Sequence, residues 1–179
     1  MYSTGFLDFE NLRIKECIDT HCNYDFRIKG CEIKKFINND LNCRLRSGVS
    51  ILDSVIDVLS IYEINGDLIV EKGSIIKKLE CNTIEEDLRI FGDVIDMKVT
   101  NVMGDVHTYS TDLGTLRNCK DLYIMGDLDR CDNLRNVQGT VFISKKSNVS
   151  DKAYEKLLKA TGTKKINGLE PNKNKIIFI

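Results

Sequence analysis

Residues Leu122–Asp129 read LYIMGDLD, and thirty-four residues earlier Leu88–Ile95 read LRIFGDVI. The apolar positions, the glycines Gly92 and Gly126 and the aspartates Asp93 and Asp127 all coincide. The second half of each unit matches as well, because Asn101-Val-Met-Gly-Asp-Val corresponds to Asn136-Val-Gln-Gly-Thr-Val. A unit of this size is about the length of two short coils of chain, and repetition of a whole unit is the signature of a solenoid. Leu122 and Ile124 then read as core, Gly126-Asp127 as a corner, and Tyr123 with Met125 as outward-facing. A less regular copy runs from Leu59 through Asn65-Gly66-Asp67 to Leu68. Asn65-Gly66 is also a strong hairpin signal between two alternating stretches, so a β-meander competes with the solenoid.

The N-terminal third carries a related phrase, Leu12-Arg-Ile-Lys-Glu-Cys17 and Phe26-Arg-Ile-Lys-Gly-Cys31-Glu-Ile33. With these phrases the chain resembles the leucine-rich repeats, in which L-x-L is followed by an Asn or Cys. Cys17, Cys31, Asp93 and Asp127 stand at that place. The resemblance implies a mostly β chain with short helices (α/β), forming an irregular leucine-rich-repeat-like solenoid. One domain spans 1–179, with N-terminal repeats over 1–47, central repeats over 48–144 and a C-terminal helix and strand cap over 145–179. Ser150 as N-cap, Ala153, Leu157 and Leu158 at helical spacing, and Gly162 as a stop predict a helix. Lys175–Ile179 predicts a last strand covering the solenoid's end. Ile51, Leu52, Val55, Ile56 and Leu59 recur at helical spacing, so a short helix is expected within Gly48–Ser60.

Composition narrows function mainly by exclusion. Lys and Arg number 26 against 27 Asp and Glu, so net charge makes no case for a general nucleic-acid or membrane binder. No long apolar run and no basic, apolar leader is present. Seven cysteines without CxxC spacing fit reduced, buried thiols. A cytoplasmic protein is expected. Heavy use of Ile, Asn, Lys and Asp suggests an AT-rich source such as a low-GC bacterium, its phages or a large virus, and a phage or viral origin would place the chain in the host-cell cytoplasm.

The candidate chemistry is sparse. Asp67, Asp93, Asp105 and Asp127 could stack as a calcium ladder, although an aspartate beside glycine more often bonds its turn's backbone. Cys17, His21, Cys22, Cys31 and Cys43 fall within twenty-seven residues but lack zinc-ligand spacing. His21 and His107 are the two histidines, and His107 reads as a strand residue. No phosphate loop, dinucleotide fingerprint, nucleophile elbow or metalloprotease helix is found. No enzyme activity, cofactor or metal is therefore expected. What remains is a surface: outward positions of stacked strands would gather Arg13, Lys15, Arg27, Lys29, Arg89, Tyr123 and Met125 into one stripe. The expectation is a protein-protein interaction module, such as a phage or viral inhibitor of a host defence protein. The alternative is a nucleic-acid or nucleotide-phosphate binder using the basic part of that stripe.

Overall fold

Alternating aliphatic residues, many of them β-branched, favour short strands with one face buried, and the chain is built of little else. The structure is a computed structural model that describes residues 6–18, 25–38, 48–109, 112–162 and 176–179. In chain order the strands are β1 (Phe6–Glu10), β2 (Arg13–Ile18), β3 (Asp25–Lys29), β4 (Glu32–Asn38), β5 (Val49–Leu52) and β6 (Val55–Ile64). They continue as β7 (Leu68–Val70), β8 (Ile75–Ile84), β9 (Leu88–Ile90), β10 (Asp93–Val102), β11 (Val106–Thr108) and β12 (Asn118–Cys119). Then come β13 (Leu122–Ile124), β14 (Asn136–Val137), β15 (Val141–Ile143), helix α1 (Asp151–Ala160) and β16 (Ile176–Phe178).

Among the described residues these strands form two parallel sheets. The first has nine strands, the odd-numbered ones in order with β16 added at the end, and the second has seven, β2 to β14. From β1 to β14 each coil contributes one strand to each sheet, and the core is the seam between them. Leu122 pairs with Val106 on one side and Val141 on the other, while Val106 also pairs with Leu88. The repeated phrase thus recurs two coils apart, with β11 between its copies. Leu88, Ile90, Leu122 and Ile124 are fully buried.

Three expectations change. Gly48–Ser60 holds no helix but strands β5 and β6. Asp53, with φ of +43°, turns a corner there and the alternation restarts after it, so the apparent helical stripe mixes inward Ile51, Ile56 and Leu59 with half-buried Leu52 and exposed Val55. Asn65-Gly66 forms no hairpin, because β6 and β7 belong to different sheets. The upstream copy beginning at Leu59 lies in the second sheet, and the strand equivalent to Leu88–Ile90 is β7.

The C-terminal cap is as expected. The Ser150 hydroxyl accepts the Ala153 N–H at 3.2 Å, Gly162 follows the helix with φ of +66°, and β16 pairs with β15. Ala153, Leu157 and Ala160 are buried, so α1 closes the core at this end. The opposite corners are tied by a ladder of carboxylates. The Asp67 Oδ1 accepts the Asp87 N–H at 2.9 Å, Asp87 accepts Asp105 at 2.8 Å, Asp105 accepts Asp121 at 3.3 Å, and Asp121 accepts Thr140 at 2.5 Å. Each aspartate thereby supplies a backbone donor of the next coil with its acceptor.

Candidate functional site

Register places one outward residue of each first-sheet strand in a single row: Asp8, Arg27, Ser50, Ile69, Arg89, His107, Tyr123, Phe142 and Ile177. Rungs about 4.8 Å apart suit aromatic stacking. The rings of His107 and Tyr123 lie 4.1 Å apart at 3°, and those of Tyr123 and Phe142 lie 4.5 Å apart at 12°. Both faces of the Tyr123 ring are therefore covered by its neighbours, leaving its edge for a partner. Burial, with Asp121 and Asp105 nearby, pushes the Tyr123 phenol up, so it stays a neutral hydrogen-bonding group.

The expected stripe divides. Arg27, Arg89 and Tyr123 share this row, Lys29 flanks it on β3, and half-buried Met125 follows β13 with its N–H on the Thr108 carbonyl at 2.9 Å. Arg13 and Lys15 lie on β2 in the second sheet. The phrase Arg-Ile-Lys occurs on both strands, so sequence likeness could not tell which sheet each would join.

Most of this basic charge is neutralised. Arg13 reaches Glu32 at 3.1 Å, Lys29 reaches Glu10 at 2.7 Å, and Arg89 reaches Asp87 at 2.7 Å and Asp67 at 3.8 Å. The second sheet follows the same rule: Lys35 pairs with Glu16 at 3.0 Å, and Lys34 and Lys77 share Asp57 at 2.9 and 2.8 Å. In-register stacking brings like residues of adjacent coils together, and alternating signs along a row avoid repulsion. Hydrogen bonds from Lys77 and Lys34 hold the Asp57 carboxyl below its ordinary range.

A different surface, not foreseen from sequence, lies where the first sheet hands over to the second. A groove of about 920 Å³ is lined by apolar Ile75, Phe91, Val94, Ile95 and Tyr109 together with charged Glu71, Lys72 and Asp93. Ile95 is 70% exposed, Tyr109 49% and Phe91 38%. The cause is a change in coil shape. Gly92 allows β9 to turn directly into β10, whereas the next coil runs from Tyr109 to Asn118 before rejoining the second sheet. That detour is pinned by Arg130, which forks onto Asp112 through Nε at 3.1 Å and Nη2 at 2.6 Å. Exposed Ile95 was legible in the sequence only as one more alternating apolar residue.

The titratable groups give no reacting pair among the described residues. Burial pushes the Cys81 and Cys119 thiols up to about 12 and Cys131 up to about 11, so none offers a thiolate at neutral pH. Cys31 is buried, and its thiol donates to the Phe9 carbonyl at 3.2 Å, while Cys17 is half-buried. His21, Cys22 and Cys43 lie outside the described residues. Of the supposed calcium ligands, Asp67 and Asp105 belong to the corner ladder, Asp93 opens β10, and Asp127 accepts the Asn148 N–H at 2.7 Å at the opposite corner. These four carboxylates do not converge, and no cluster of three potential metal ligands occurs among the described residues. No helix there is long and apolar enough to cross a membrane. No known protein family, curated protein or solved structure matches the chain.

Proposed function

We propose that this chain is a non-enzymatic protein-protein interaction module that engages its partner at the groove around Phe91, Ile95 and Tyr109. The observation that carries the reading is the exposure of these three large side chains around one concavity, flanked by charged residues. Protein interfaces favour this arrangement, with aromatic anchors within a polar rim. The first-sheet row from Arg89 to Phe142 offers a second, flatter patch of ring edges. The finer reading, a phage or viral inhibitor of a host defence protein in the host cytoplasm, rests on composition. Kinship with leucine-rich repeats rests on the short L-x-I phrases.

The alternative, a nucleic-acid or nucleotide-phosphate binder on Arg13, Lys15, Arg27, Lys29 and Arg89, is weakened by charge pairing and by the split between sheets. Stacking also covers both faces of Tyr123, the middle ring of the row. Affinity purification from the native cell separates the two. Recovery of a stoichiometric protein, lost with Ile95→Asp plus Tyr109→Ser but kept with Arg27→Glu plus Arg89→Glu, is the expected result. Equal recovery by the groove variant would contradict it. Binding to nucleic acid that falls steeply between low and physiological salt would favour the alternative.

A further inference from the structure

The detour after β10 leaves more than a groove. β8 pairs with β10 from Asp93 to Val102, but β12 meets β10 only at Asn101↔Asn118. Farther along the same edge, the Thr115 hydroxyl serves the Met97 and Val99 carbonyls at 3.2 Å each, and the Arg117 N–H serves the Thr100 carbonyl at 2.8 Å. From Asp93 to Asp96, backbone hydrogen bonds run only toward β8 among the described residues. The side chains record the missing rung. Ile56, Ile76 and Val94 occupy one inward row, and the first two are fully buried while Val94 is only half-buried. An uncovered core residue beside an unpaired strand edge is an acceptor site for another strand.

We propose that the β10 edge from Asp93 to Asp96 receives an extended segment of a protein partner, which adds to the second sheet as a strand. This deepens the protein-binding reading above and rests on it. The charge pattern specifies the segment. Elsewhere in this sheet carboxylates are answered by lysines of a neighbouring coil, on one side or on both: Glu16 by Lys35 at 3.0 Å, Asp57 by Lys34 at 2.9 Å and Lys77 at 2.8 Å, Glu80 by Lys98 at 3.5 Å. Asp93 has no such ion pair among the described residues, and Asp96 has Lys98 on its own strand at 3.7 Å and Lys78 beside it on β8, with its other side open. The added strand therefore carries an apolar residue to cover Val94 and a basic residue beside Asp96. Its remaining apolar side chains enter the groove against Phe91, Ile95 and Tyr109. The chain's own β8 shows the pattern on the other edge, setting Ile76 beside Val94, Lys78 beside Asp96 and Leu79 beside Met97.

A capped peptide copying Ser74–Glu80, SIIKKLE, is the probe, titrated into the ¹⁵N-labelled full chain. Saturable shifts are expected at β10 and the groove, weakened at least about tenfold in Asp93→Lys plus Asp96→Lys, a pair of exposed positions that leaves the core intact. Two further peptides, N-methylated on one or the other set of alternate amides, read the backbone contribution. One of the two should lose binding, because only one set faces β10. No saturable shift at β10 with the parent peptide at millimolar concentration would overturn the proposal. So would parent-like binding by both methylated peptides. If either occurs while the Ile95 and Tyr109 variant still loses its cellular partner, strand addition fails and the protein-binding reading stands.

Discussion

Gly92 shows at a single position why the repeated phrase keeps its glycine. A Cβ there would lie 2.6 Å from the Glu71 carbonyl oxygen and 2.7 Å from that of Ser74, both backbone atoms that cannot step aside. Gly92→Ala is expected to cost about 1–3 kcal/mol, seen as a lower denaturant midpoint without a change in slope. Asp87 illustrates the carboxylate ladder. Burial pushes its carboxyl up, but the Asp105 N–H and the Arg89 guanidinium together outweigh burial and hold it below the ordinary range. A carboxyl whose folded pKa is depressed contributes stability above its unfolded value, about 4, and loses it as pH falls through the folded value. Acid unfolding of the wild type should therefore steepen below about pH 4 relative to Asp87→Asn, which is less stable at neutral pH. Parallel curves would remove Asp87 from that account. The sequence announced the glycine and aspartate of the phrase, but which aspartates bond across coils depended on register, which local spacing does not encode.

At the scale of elements, the inward and outward halves of one short strand differ in what they do. Leu122→Ala should cost about 2–5 kcal/mol, because a fully buried side chain leaves a cavity between two coils. Tyr123→Ser, one residue on, removes the middle ring of the stack and should cost about 1–2 kcal/mol, less than its neighbour. The reverse order, measured by urea unfolding, would mean that the strand faces the other way. Helix α1 was the easiest element to read, since its cap, apolar stripe and glycine stop are all local. Ser150→Ala should cost about 1 kcal/mol through loss of the Ala153 N–H acceptor. Gly48–Ser60 misled for a physical reason. A corner at Asp53 joins two strands, and their inward Ile51, Ile56 and Leu59 together with outer Leu52 and Val55 imitate a helical stripe.

At the scale of the whole molecule, the solenoid was legible because a unit of two coils repeats, and reuse of one phrase at fixed spacing favours a stacked fold. The division of the coil between two sheets was not, since Arg-Ile-Lys serves equally in either. The groove is not legible in the sequence because it arises from a difference between neighbouring coils, one entering the second sheet just after Gly92 and the next only at Asn118. Stability in such a stack is a sum over coils and their interfaces, so a missing rung lowers protection locally without unfolding the remainder. Native-state amide hydrogen exchange, read residue by residue, tests this directly. Amides from Asp93 to Asp96 should exchange markedly faster than those at the same register in β6 and β8, which have coils on both sides. Equal protection across the three strands would mean that the second sheet is closed at β10, contradicting the open step on which partner binding here depends.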